Sequence, residues 1–211
     1  MTLPKAWIKE RKREYYYRKA KEEKYRSRAA YKLLQVAKKY QFIKPGYIVV
    51  DIGAAPGGWS QVSRKLVGEE GFILGVDLKH IPPFDLSNIY TIVGDITDSQ
   101  TVLEIKEILP RPADVVISDV SPNISGVWEL DHARQIDLAR KSLQIAICTL
   151  KQKGSFFTKV FQGSMLNDFL KEVKQHFVFV KLIKPKASRM KSAELYVLAL
   201  DFVENKNSRV V

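Results

Sequence analysis

The chain has 211 residues, of which 45% are apolar and 27% charged, and it carries a net charge of +12. A chain of that length buries a full hydrophobic core, and that balance of residues excludes a disordered or fibrous protein. Cys148 is the only cysteine, which excludes an internal disulfide, and with neither a signal-peptide core nor an apolar run of bilayer length a soluble, cytoplasmic, monomeric protein that avoids membranes is expected.

The charge is concentrated at the start. Residues 1–44 hold 15 Lys and Arg against 4 Asp and Glu, a net +11, interleaved with Trp7, Tyr15, Tyr16, Tyr17, Tyr25 and Tyr31. Cations neutralise phosphates and aromatic faces stack on bases, so nucleic acid is the natural partner of this segment, and binding should weaken steeply with salt. A solvated basic helix that only aids solubility is the competing reading. A membrane-surface helix is disfavoured, because KERKREYYYRKAKEEKYR lacks a broad apolar face. Residues 1–27 therefore read as a helical basic extension, 28–204 as a single domain and 205–211 as a polar tail.

From Pro45 onward, short β-branched and aromatic runs alternate with helical segments, the pattern of an α/β fold whose mostly parallel sheet is covered on both faces. Strands are predicted over 47–53, 71–78, 89–95, 113–119 and 154–161, and helices near 58–67, 98–109, 129–151 and 164–175. The end differs. HFVFVKLIK (176–184) and AELYVLALDF (193–202), joined by PKASRMKS, predict a hairpin, which gives a seven-stranded sheet an antiparallel edge.

The first strand runs into Gly53-Ala-Ala-Pro-Gly57-Gly58 and a helix. Glycines there let the backbone approach a nucleotide-type ligand at the strand's carboxyl end. The spacing is neither GxGxxG nor a phosphate loop, since no Gly-Lys-Ser/Thr follows, so a ligand without a polyphosphate is favoured over a dinucleotide; a tight structural turn is the alternative. Asp77 closes the second strand, where a carboxylate accepts hydrogen bonds from the ribose hydroxyls of an adenosine, and Asp95 closes the third, where it could face the adenine. A cap or turn role competes for both, most strongly for Asp95. Asp119 and Asn123 follow the fourth strand and Lys159 lies at the end of the fifth, at the same crevice. A lysine inside FFTKVF is costly to bury unpaired, which favours function over a structural ion pair, and Glu194 in the last strand raises the same question. Lys32, in RSRAAYKLLQ, is by itself an ordinary lysine of a basic helix. His80, His132 and His176 are scattered, so no metal is expected.

Taken together, RSRAAYKL (26–33), DIGAAPGGWSQ (51–61), DVSPNISG (119–126), KVFQG (159–163) and SAELY (192–196) resemble the FtsJ/RrmJ-type ribose 2′-O-methyltransferases over about residues 25–203. The resemblance implies a Rossmann-like methyltransferase fold, S-adenosyl-L-methionine as the methyl donor, S-adenosyl-L-homocysteine as its product, and RNA as the acceptor. It implies a catalytic set at Lys32, Asp119, Lys159 and Glu194, which promotes Lys32 from the ordinary, and donor contacts at Gly57, Trp59, Asp77, Asp95 and Asp119. The DVSPN segment is similar to the branch acting on large-subunit ribosomal RNA, so a uridine ribose of that RNA, free or in the assembled large subunit, is the expected target. Transfer RNA or another RNA is the alternative acceptor. A non-catalytic RNA-binding or ribosome-assembly protein is the alternative class, against which the complete Lys-Asp-Lys-Glu set argues; a nicotinamide-dependent oxidoreductase lacks its glycine spacing here. Residues 1–24 have no counterpart in the resemblance.

Such a transfer is an in-line displacement that needs alignment, removal of one proton and exclusion of water. Lys159 is the expected base: a lysine's ordinary pKa of about 10.4 falls with desolvation and a neighbouring cation such as Lys32, while Asp119 and Glu194 act oppositely. Lys181, Lys184, Lys186, Arg189 and Lys191 around the hairpin are expected to join the leader in contacting phosphates.

Overall fold

The alternation of apolar runs resolves into seven strands in a computed structural model, which describes residues 15–189 and 192–204. Residues 15–22 form helix α1. There follow α2 (Ala30–Tyr40), β1 (Ile48–Ile52), α3 (Gly58–Val67), β2 (Phe72–Asp77), β3 (Ile89–Val93), α4 (Ser99–Ile108), β4 (Ala113–Ser118), α5 (Trp128–Thr149), β5 (Leu150–Phe161), α6 (Leu166–Lys174), β6 (Phe177–Ile183) and β7 (Glu194–Phe202). The expectations for the leader before Tyr15 (with Trp7), for Lys191 and for the tail 205–211 fall outside the described residues. Among the described residues no helix is long and apolar enough to cross a membrane.

The strand order is β3-β2-β1-β4-β5-β7-β6. Strands β1 to β5 pair in parallel, whereas β7 runs antiparallel to both β5 and β6. β1 and β4 are buried along their whole length, which explains why they are mostly apolar, while the edge strands β3 and β6 are partly exposed. Alternate residues feed two cores. Val50, Ile52, Val116 and Phe156 pack under α4, α5 and α6, and Val49, Val115, Ile117 and Phe157 pack under α2 and α3. The strand order reverses between β1 and β4, so the crevice for a ligand opens at their carboxyl ends.

The predicted hairpin is present, but it is β7 that inserts beside β5. Lys159 thereby pairs with Tyr196 and Phe161 with Glu194, which brings the start of the last strand to the crevice. β5 begins at Leu150, earlier than the predicted 154, and the preceding helix stops at Thr149. The polar Lys151-Gln152-Lys153 stretch hides this start: Lys153 takes a positive φ of 62° and the register with β4 shifts between Ala113 and Val115. The described part of the leader is packed down rather than free. Ala20 and Tyr25 join the core under α2, and the Tyr16 hydroxyl accepts a hydrogen bond from Gln35.

Candidate active site

Four elements distant in sequence meet where β4 and β5 end and β7 begins. Asp119 follows directly on β4, Lys159 stands near the end of β5, Glu194 opens β7, and Lys32 reaches in from the first turn of α2. α2 is fixed there because Tyr31, Leu33, Val36 and Ala37 are buried in the core it shares with β7. Lys159 Nζ lies 3.1 Å from Asp119 Oδ1 and donates to the Asp119 main-chain carbonyl at 2.6 Å. Lys32 Nζ is 2.8 Å from Glu194 Oε1 and 2.9 Å from Oε2, and 3.9 Å from Asp119 Oδ2. The structure thus gathers all four residues singled out in the sequence, with the carboxylates interleaved between the lysines.

A fifth member was not singled out. The Tyr196 hydroxyl donates to Asp119 Oδ1 at 2.7 Å and accepts from Lys32 at 3.0 Å. Burial, with Asp119 and Glu194 adding to it, pushes this phenol well above its ordinary value, so it stays a donor. The available signal was its position two residues after Glu194 in a strand, hence on the same face. Burial alone would push the Asp119 carboxyl up, but Lys159, Lys32 and the Tyr196 hydroxyl outweigh it and hold the group below the usual carboxylate range. Ser188 completes the shell by donating to Glu194 Oε1 at 2.9 Å.

The glycine turn after β1 forms the other wall. Gly57 has a φ of 110°, and a Cβ there would stand 2.5 Å from Phe84 and 2.9 Å from the Arg26 guanidinium. Arg26, also not singled out, donates to the carbonyls of Pro56, Pro82 and Pro83 and lies over the Phe84 ring at 3.8 Å, strapping the loop after β2 to the glycine turn. Asp77 ends β2 as predicted; its two oxygens accept the N–H groups of Ala55 and Lys79, which fixes its orientation at the crevice. Asp95 lies two residues beyond the end of β3, exposed, with Oδ1 taking the Thr97 N–H and hydroxyl, the turn role that competed for it. Trp59 is buried, its indole N–H bonded to the Ala29 carbonyl and its ring stacked on Phe157, so only its main chain can face the crevice.

Beneath the turn, Asp51 is fully buried. One oxygen accepts from Ser60 at 2.6 Å and the other has no partner. Burial pushes this carboxyl up to about 7, with the Ser60 hydrogen bond pulling it down and the negative charges of Asp119 and Asp77 pushing it further up. Because the folded value lies above the unfolded one, near 3.9, the protonated carboxyl stabilises the fold in acid, and that contribution is lost as pH rises through about 7. Asp51→Asn is therefore expected to unfold at a higher temperature than the wild type at pH 8, with the gap closing toward pH 5. Melting curves at the two pH values check this; a gap that does not narrow in acid contradicts it.

An α/β sheet with a crevice at its strand-order reversal, a glycine turn without phosphate-loop features and a lysine-carboxylate cluster has the features of an enzyme that takes a nucleotide-type ligand, and comparison with known proteins puts it in the methyltransferase class. Residues 25–202 match the family described as FtsJ-like methyltransferase, and the chain belongs to that family. It is 50% identical to the "Ribosomal RNA large subunit methyltransferase E" of Methanocaldococcus jannaschii over 96% of this chain and 84% of the relative. With the protein of that name from Methanothrix thermoacetophila the identity is 55%, over 88% and 71%. A putative ribosomal RNA methyltransferase from Plasmodium falciparum has a similar crystal structure, with a TM-score of 0.76, 30% identity, and coverage of 86% of this chain and all (100%) of that one.

Proposed function

We infer that this protein transfers a methyl group from S-adenosylmethionine to a ribose 2′-hydroxyl of large-subunit ribosomal RNA. The acceptor class follows the name that its archaeal relatives carry. The ribose hydroxyl is supported by one observation above others, the cluster of Lys159, Asp119, Lys32 and Glu194 at the crevice mouth. No other nucleophile-activating arrangement lies there among the described residues.

The crevice suits a cationic donor. Asp119 and Asp77 both raise the cost of ionising Asp51, which keeps a buried oxygen unpartnered, so a positively charged sulfonium or ammonium offsets the repulsion. Asp77 would accept the donor's ribose hydroxyls, Asp95 would lie at its adenine through the oxygen not used by Thr97, and the main chain at Gly57 and Trp59 would line its path, with Asp119 near the methyl group. The donor supplies an electrophilic methyl carbon and leaves as a neutral thioether. As the oxygen bonds to that carbon the 2′-hydroxyl proton passes to Lys159 Nζ, the ammonium having first released one of its own protons to water. Asp119 orients Lys159 from two sides, with its carboxylate and its carbonyl. Lys32, held by Glu194 and Tyr196, places a positive charge where the oxygen becomes negative. No metal enters this scheme. In the same reading, residues 28–204 carry the transfer, and the basic leader with Lys181, Lys184, Lys186 and Arg189 holds phosphates on either side of the target.

The test is single-turnover transfer from a labelled donor to three acceptors: protein-free large-subunit RNA, assembled large subunits and total transfer RNA. Label in large-subunit RNA, free or assembled, is expected. Label confined to transfer RNA would move the acceptor, and tight RNA binding with no label anywhere would reduce the chain to a binding protein.

A further inference from the structure

One surface beside the cluster serves neither the donor nor the proton. Phe161 ends β5 two residues after Lys159, about 7 Å further along the strand. Trp128, the first residue of α5, lies against Phe161 at 5.9 Å and against His132 at 6.2 Å, nearly parallel to both, yet remains 44% exposed. His132 is buried and fixed, with Nε2 accepting the Met165 N–H at 3.0 Å. The ring is therefore backed by a buried, hydrogen-bonded imidazole and by Phe161.

The loop leading to Trp128 is equally set. Asp131, itself buried, accepts the N–H and the hydroxyl of Ser125 at 2.8 Å each and the Gly126 N–H at 3.1 Å. Braced in this way, the loop holds Ile124, four residues before the tryptophan, at 64% exposure and Val127, directly before it, at 60%. A rigid apolar patch kept in water marks a place where something binds.

We propose that Trp128, with Ile124 and Val127, is a stacking platform for an unpaired RNA base next to the methylated nucleotide. The proposal rests on RNA being the acceptor. Phe161 ends β5 two residues beyond Lys159 with Trp128 against it, which puts both rings within reach of a base next to a ribose held at Lys159. An aromatic face takes any base, and recognition of single-stranded RNA uses bases splayed onto such faces. The platform fixes the distance from a stacked base to the reacting ribose, which makes it a positioning surface for the acceptor rather than part of the chemistry.

The test is the affinity of a short fluorescent single-stranded RNA of mixed sequence, read by anisotropy, for the wild type, Trp128→Phe, Trp128→Leu and Ile124→Asp. Leucine keeps apolar contact and removes the ring, and is expected to weaken binding about 10-fold, as for one lost stacked base. Phenylalanine should restore most of the affinity. Ile124→Asp, on an exposed loop position, puts a negative charge on the platform without opening a core, and should weaken binding even if the leucine variant does not fold. Wild-type affinity in folded Trp128→Leu and in Ile124→Asp overturns the proposal. Because the readout is binding, wild-type protein that holds the RNA yet transfers no methyl group would count against the enzymatic reading alone.

Discussion

Replacing Lys159 by alanine is expected to slow methyl transfer about 10²- to 10⁴-fold, the range for loss of a positioned general base. Asp119 would still face Lys32 at 3.9 Å and the Tyr196 hydroxyl at 2.7 Å, so its charge is not abandoned and the fold should survive. Lys159→Arg sharpens the test. A guanidinium keeps the positive charge and the ion pair but does not give up its proton at accessible pH. If Lys159 only balanced charge, arginine would restore the rate; as a base, it should leave both variants slow while donor binding stays near wild type. Single-turnover rates with donor affinity measured separately distinguish the two outcomes.

The second large effect falls on Asp119→Asn. Among the described residues, Asp119 is the one carboxylate that both lysines approach, and its oxygens also hold Tyr196. Removing its charge leaves two ammonium groups in a largely buried site with Glu194 as the remaining carboxylate, and breaking a buried pair in this way costs about 3 kcal/mol of stability. The sign with pH follows from the depressed folded value: the Asp119 contribution is complete above the unfolded value near 3.9 and disappears as pH falls through the lower folded value. Denaturant unfolding should therefore separate wild type from variant fully at pH 7 and bring them together in strong acid. Asp51 behaves oppositely, because burial wins there. Two aspartates of one crevice are thus predicted to shift stability in opposite directions with pH.

Much of the fold was legible because β1 and β4, buried on both faces, read as mostly apolar, β-branched runs between turn residues, and because α3 opens on a glycine turn. The start of β5 was not, since Lys151 to Lys153 carry no apolar pattern and lie where the register with β4 shifts, between the Ala113–Leu150 and Val115–Ser155 pairs. Residue chemistry flagged Lys159 and Glu194, each a charge inside an apolar run. Lys32 carried no such mark; family resemblance raised it, and its ion pair spans 162 residues of sequence, a separation that periodicity does not encode. Tyr196 and Arg26 were hidden for the same reason, as their partners come from distant segments. Asp95 illustrates the reverse case, in which the local turn chemistry that competed for it is present.

The central claim, that the methyl group goes to a ribose oxygen through Lys159, is tested most directly by alkaline digestion of RNA labelled by the wild type. Alkaline cleavage requires a free 2′-hydroxyl, so a 2′-O-methylated nucleotide survives joined to its neighbour. Label is expected in an alkali-resistant dinucleotide from large-subunit RNA, and none is expected there when Lys159→Ala is used. Label released with single nucleotides, as from a methylated base, would contradict the claim.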